Sequence, residues 1–345
     1  MVRFFSGVEL NRAFYSEVVG PLVQCWPHTA ARLGAGSDVL GFDDERSTDH
    51  GWGPSLILLV AGSNLEPVRD AVESGLPVAF AGRPVRYGWD DIPVTHHVDV
   101  STPDAWLTSH LGVDPSSGLV ATDWLLIPQQ KLLEVTGGAV YHDEDGTLSR
   151  VRAELHWFPE AVWLWILACQ WRRIAQDEAF VGRTAEVGDD VGSRLVAARL
   201  VRELMRLWFL LNRAYWPYTK WFGSAFNRLP GAEVLASTLN DVLGAADHRD
   251  REAALARAYE LVGRRHNEVG FTAPVDATVR SFYGRGYQVL MADRFVDACL
   301  TVLDDPELKS LPLVGSVDQV ADSTDLLSHG TRSRRLADLY RASSV

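Results

Sequence analysis

LGAGSDVLGFDDERSTDHGWGPSLILLV, residues 33–60, decides how the rest of this chain is read. It opens on a small-residue turn, Gly34-Ala35-Gly36-Ser37, and then carries Asp38, Asp43, Asp44, Glu45 and Asp49. It closes on a continuous apolar run, Leu56 to Val60, bounded by Pro54 and Gly62, which is the pattern of a buried strand. Unpaired buried charge is expensive, so carboxylates crowded beside such a strand need a cation, a proton or hydrogen-bond donors to hold them. The stretch is therefore the candidate active site.

The composition sets the frame around it. The 345 residues suffice for one large domain or two ordinary ones. With 47% hydrophobic residues and 12 Trp, the chain can bury a sizeable core. A net charge of −12 argues against a dedicated nucleic-acid coat, which needs a basic footprint, but leaves room for a local basic pocket. Cys25, Cys169 and Cys299 are odd in number and widely spaced, so neither a disulfide framework nor a zinc site is indicated, and a reducing, cytoplasmic location fits. Glu9, Asn11 and Arg12 interrupt the N-terminal apolar residues where a signal peptide would be unbroken. No run approaches the roughly 20 apolar residues of a membrane helix. Ala161 to Cys169, the longest apolar segment, reads as a core helix.

Outward from the acidic stretch, apolar spacing predicts a helix over 8–20, stopped at Gly20-Pro21, and a second short helix from Pro21 through Leu33 that Pro27 interrupts. A helix is expected over 67–75 and a strand over 94–100, where VTHHVDV puts Val98 and Val100 on one face and His97 and Asp99 on the other. A helix start follows at Ser101-Thr102-Pro103. WLLIPQQKLLEVTGG, 124–138, reads as a helix ended by its Gly pair, and 139–152 as a hairpin-like excursion around Asp143-Glu144-Asp145-Gly146. From about 155 long amphipathic segments take over, at 159–181, 190–213, 217–228, 231–244 and 248–268. The expectation is an α+β chain with a small mixed sheet over 1–152 and a helical bundle over 153–345, whose C-terminal tail packs back.

The chemistry centres on Gly36-Ser37 followed by Asp49. A Gly-Ser turn offers backbone N–H groups and a hydroxyl without bulk, which suits phosphate. A carboxylate entering a strand suits Mg²⁺, and Asp99 on a neighbouring strand could complete the site. Phosphoryl or nucleotidyl transfer needs that set, a cation to neutralise polyphosphate and a carboxylate to orient the attacking hydroxyl. The ordinary alternative is a surface turn with solvated acids. His96 and His97 beside Asp99 could form a metal pair, but the alternation lets at most two of the three converge. In the helical half, Arg199, Arg202, Arg206 and Arg213 form one stripe, either for phosphate or for neighbouring acids such as Glu203. Arg183 and Arg194 flank a Gly-rich turn, and Tyr218 and Lys220 sit in an aromatic cluster that suits a nucleobase beside phosphate or simply a core. The tail acids Asp318, Asp322 and Asp325 could meet an acceptor bearing amines or hydroxyls, or dock the tail.

These residues resemble the nucleotidyltransferase superfamily related to DNA polymerase beta and the kanamycin and lincosamide nucleotidyltransferases. More closely, the chain looks like a bacterial family labelled a domain of unknown function within it. The stretches that carry the resemblance are GSDVLGFDDERSTDHGWGP (36–54), LLEVTGGAVYHD (132–143), DEAFVGRTAEVGDDVGSRLVAARLVRELMRL (177–207), PYTKWFGSAF (217–226) and GSVDQVADSTD (315–325), spread over nearly the whole chain. It implies a nucleotidyltransferase-like domain, Mg²⁺ or Mn²⁺ as cofactor, and an NTP, ATP foremost, as substrate. Gly36 and Ser37 would hold the phosphates. Asp49 and Asp99 would be catalytic and metal-binding, with Asp43 or Asp44 assisting, and Arg183, Arg194, Lys220 and Tyr218 would contact the nucleotide.

One departure matters. The superfamily's Asp-x-Asp would place a second carboxylate at position 51, where this chain has Gly51. Another acid fills the role, or His50 contributes with a softer metal, or the chain binds nucleotide without transfer. The leading expectation is transfer of an NMP to a hydroxyl of a small molecule, ahead of an RNA end. The alternatives are a nucleotide-binding sensor or regulator, and adenylation of a carboxylic acid on the same scaffold.

Overall fold

The structure is a computed structural model, which describes residues 4–341. The first helix, α1 (Gly7–Phe14), starts in a capping box: the Ser6 hydroxyl accepts from the Glu9 amide, and the Glu9 carboxylate accepts from the Ser6 amide. The helical path continues through a wider turn, Tyr15–Val19, to Gly20–Val23. No second helix reaches Leu33. Pro27 disfavours helix at its own position and at the residue before it, and the chain enters strand β1, His28–Arg32, instead.

β2 (Ser55–Val60) is the apolar run at the end of the opening stretch. Helix α2 (Leu65–Gly75) buries Val68 and Val72. A two-residue hairpin, Ala79–Phe80 with Arg83–Pro84, leads into β3 (Arg86–Trp89) and the long β4 (Ile92–Ser101). Thr102 then caps α3 (Pro103–Leu111). The region 124–138 is divided by Pro128, with helix Ala121–Leu126 before it and α4 (Gln129–Thr136) after. Residues 139–152 do not form a hairpin of their own. β5 (Ala139–Asp143) pairs antiparallel with β1, and α5 (Thr147–Glu154) follows.

The five strands form one mixed sheet in the order β3-β4-β2-β1-β5. β1 is antiparallel to β2, and β2 is parallel to β4, with Ser55 opposite His97 and Ile57 opposite Asp99. The parallel step needs a crossover, which α2 and the small hairpin supply. On one face Ala30, Leu56, Leu58, Val98 and Val100 pack against Phe14 and Val72. Each buried Leu, Val or Phe contributes roughly 1.5–3 kcal/mol, enough to fix the register and leave Ile57, His97 and Asp99 on the opposite face.

The chain falls into two compact units. The first takes the chain up to Asp123, Ile127–His156 and Ser323–Arg335. The second takes Trp124–Leu126, Trp157–Asp322 and the chain from Leu336. Its helices are α6 (Glu160–Asp177), α7 (Phe180–Glu186), α8 (Asp190–Leu211), α9 (Thr219–Phe226), α10 (Ala232–Gly244), α11 (His248–Val269) and α12 (Asp293–Val302). α6 is apolar nearly all round, with Trp163, Trp165 and Trp171 fully buried, as a central helix must be. The fold class is α+β, and among the described residues no helix is long and apolar enough to cross a membrane.

Candidate functional site

The Gly34–Ser37 turn leaves the end of β1 and is held there by one side chain. The Arg32 guanidinium donates twice to Asp38, at 2.7 and 2.8 Å, and once each to the carbonyls of Leu33 and Ala35. Both charged side chains are buried. A bidentate pair with its remaining donors satisfied is the form in which buried charge is tolerated. Gly36 makes it possible: a Cβ there would lie 2.3 Å from Asp38 Oδ1 and 2.4 Å from Arg32 Nη2. Arg32 was not singled out in the sequence, and Asp38 was read only as one acid of a cluster. The signal available was a buried-length Arg six residues before an Asp across a Gly-rich turn.

The remaining acids of the stretch have separate occupations. Asp43 Oδ2 accepts from the Gly7 amide at the start of α1 (2.6 Å) and from Trp52 Nε1 (3.3 Å). Asp44 caps the short 3₁₀ helix Glu45–Asp49, accepting from the amides of Arg46 and Ser47. Asp49 is exposed, with His50 Nδ1 at 2.8 Å. Gly51 has φ +61, and a Cβ there would meet the Trp89 ring at 3.4 Å.

An open cleft of about 470 Å³ lies where the end of β1 and the start of β2 meet residues 96–99 within β4. Gly34 and Ala35 form one lip, Ser55 the floor, and His97, Asp99 and His110 the far side. Gly36, Ser37, Asp43, Asp44 and Asp49 do not line it. Crowding around Asp99 partly desolvates its carboxyl and pushes its pKa up, while Arg69 pulls in the other direction. His97 Nε2 bonds the Tyr87 carbonyl (2.9 Å), and burial lowers its pKa against that bond. His96 turns away to Glu73, 3.0 Å distant, so the His-His-Asp convergence does not form.

Behind the cleft sits a buried ionic group that the sequence did not reveal. Glu134 on α4 lies 2.8 Å from both His110 Nε2 and Lys131 Nζ, and its backbone carbonyl accepts from the Gly34 amide. Burial alone would raise the Glu134 pKa, but the bond from His110 and the charges of Lys131 and His110 outweigh it and hold it at about 2. His110 stacks on Trp106 with ring centroids 4.8 Å apart. The group tethers the turn and the cleft wall to one helix.

Among the described residues no group of three or more His, Cys, Asp or Glu side chains is gathered to hold a metal. Asp43 and Asp44 are engaged with backbone donors, and position 51 has no carboxylate. As they stand, these side chains do not fit a Mg²⁺ clamp.

In the second unit, Arg194 donates to Asp190 and to the carbonyls of Ala245 and Ala246, tying α8 to the loop before α11. Arg183 is exposed on α7 with its guanidinium 5.4 Å over Phe180. Lys220 is exposed with its ammonium 4.9 Å over Trp221, and Tyr218, also exposed, precedes α9. Of the expected arginine stripe, Arg199, Arg202 and Arg206 lie on α8 and pair with Asp177, Asp322 and Glu203, whereas Arg213 falls beyond the helix end with φ +50 and pairs with Glu160. The tail docks: Gln319 is buried and donates to the Ile166 carbonyl and to Gln170, which in turn donates to Glu203.

The sequence profile of a family described as "Domain of unknown function (DUF4037)" matches residues 124–222. That span takes in 132–143, 177–207 and part of 217–226, and leaves the acidic stretch outside it. No curated protein matches the chain. Among solved structures, a nucleotidyltransferase-like protein from Exiguobacterium sibiricum 255-15 is similar at 11% identity over 86% of this chain and 89% of that one, with a TM-score of 0.36. A likeness that loose supports no inference about this chain.

Proposed function

We propose that the cleft between Gly34-Ala35 and Asp99 binds a nucleotide, ATP foremost, and that the chain works as a nucleotide-binding protein rather than by transfer. The observation that carries this is the placement of the glycine turn and Asp99 on one cleft, from an antiparallel and a parallel neighbour of β2. Gly34 has open space where a Cβ would be, so a ligand can approach the turn closely there, while the Gly34 N–H itself stays committed to the Glu134 carbonyl. The Arg32–Asp38 clamp holds the turn in one conformation before the ligand arrives, which lowers the ordering cost of binding. Asp99 accepts a hydrogen bond from a ribose hydroxyl. Gly51, with the engagement of Asp43 and Asp44, favours binding over chemistry.

A second reading, Mg²⁺- or Mn²⁺-dependent transfer of an NMP to a hydroxyl of a small molecule, has the raised pKa of Asp99 in its favour, as a general base requires. It needs a further carboxylate, which Asp43 or Asp44 supplies only by leaving its backbone partners.

Calorimetry with each NTP, with and without Mg²⁺, tests binding, and incubation with labelled NTP and a metabolite extract tests transfer. The expected result is NTP binding, weakened by Asp99→Asn, with no label moved. Absence of binding for every NTP overturns both readings. Label transfer abolished by Asp99→Asn establishes the second.

A further inference from the structure

The first unit has a second cavity, at the other end of its sheet. Where β1 begins and β2 ends, His28 lies opposite Val60 and Thr29 opposite Leu59. There the two strands, α3 and the β5–α5 turn enclose a space of about 340 Å³. Its walls are apolar, with Leu59, Leu107 and Leu148 prominent among them. Glu144 and Asp145 stand among its lining residues.

Most of the polar groups around this space are already satisfied within the protein. The His28 Nδ1–H donates to the Trp26 carbonyl (2.8 Å), which leaves Nε2 to accept from the Tyr15 hydroxyl (2.9 Å). Burial lowers the His28 pKa, which favours the neutral imidazole. Its ring lies 4.5 Å from that of His142. The Thr29 hydroxyl donates to Asp143, whose other oxygen accepts from Ser149. Asp145 Oδ1 accepts from the Thr147 amide at the start of α5. The nearby cation, Arg150, donates to the Asp145 carbonyl and the Thr147 hydroxyl. What is left is acceptor capacity: Glu144 is exposed, with His142 Nε2 4.0 Å away.

An apolar chamber with an exposed carboxylate on its lining matches one ligand chemistry. We propose that this cavity is a binding site for a small organic cation, an apolar body of roughly ring size carrying a protonated amine that pairs with Glu144. It is separate from the Gly34–Asp99 cleft and independent of the nucleotide reading.

The test is calorimetry on the full chain with phenethylamine, its neutral counterpart 2-phenylethanol, and phenylacetate. The amine should bind about fivefold more tightly than the alcohol, the scale of a partly exposed ion pair, with phenylacetate weakest. Glu144→Gln, at an exposed side chain, should bring amine and alcohol to equal affinity without altering the fold. Ala61 also lines the chamber, and Ala61→Phe, which adds a ring there, should abolish binding of both in protein whose circular dichroism is unchanged. Failure of the amine to bind, equal binding of amine and alcohol to the unaltered chain, or an amine preference that survives Glu144→Gln overturns the proposal. If Ala61→Phe does not fold, the Glu144→Gln comparison decides alone.

Discussion

Gly36 and Gly51 look alike in the sequence and do different work. At Gly36 any side chain collides with the Arg32–Asp38 pair, so Gly36→Ala should lower stability by about 2 kcal/mol or more, read as a shift in denaturant midpoint. At Gly51 the constraint is conformational. A left-handed φ costs a non-Gly residue roughly 1–2 kcal/mol, so Gly51→Asp should destabilise by about that amount, and less than Gly51→Val. Two buried titratable groups give pH signatures. His266 accepts from Trp171 Nε1–H on Nδ1 and bonds Thr272 through Nε2, and burial holds its pKa down at about 4. A depressed folded pKa contributes stability above the unfolded value of about 6.5, lost as pH falls toward 4, in all about 3 kcal/mol. His266→Gln should flatten urea-unfolding stability across that window. Glu134 acts lower, between its unfolded pKa near 4.5 and about 2, so stability should fall again there by about 3 kcal/mol, and Glu134→Gln should remove that second fall. None of these pairings was legible in the sequence. Composition marks acids near glycines, but which acid meets Arg32, and which merely caps a turn, depends on where the backbone brings them.

Elements were legible where pattern and propensity agree. The apolar run of β2, the alternation of β4 and the long amphipathic helices of the second unit are each stated by many residues at once. β1 is not. HTAAR has one β-branched residue and two alanines, and it is a strand because both neighbours bury it, all five residues being buried. Tertiary context overrides propensity in such a short central strand. β5 was missed for a related reason, since its partner is β1 and not the residues that follow it. Replacing Ala30 with Leu therefore tests the packing: the larger side chain has no room in a position 0% exposed, and overpacking should cost about 1–3 kcal/mol, seen as a lower thermal midpoint.

For the whole molecule, the sequence reading of an α+β chain with a sheet-bearing first part and a helical remainder matches the fold class. The site was legible in outline only: Asp99 lines the cleft beside Gly34 and Ala35, whereas Gly36, Ser37, Asp43, Asp44 and Asp49 do not. The net charge of −12 carries its own expectation, that duplex DNA is left unshifted in a gel assay at about 0.15 M salt, because phosphate binding falls steeply without a basic footprint. The first unit closes late. Arg334, near the chain's end, lies 2.7 Å from Asp123, and Gly330–Ser333 packs on α3. A chain emerging from the ribosome folds from its N-terminus, yet this sheet-bearing unit lacks a piece of itself until residues 157–322 of the other unit have been made. Synthesis order and assembly order are thus out of step: α3 and Asp123 must wait for residues 323–335 to arrive.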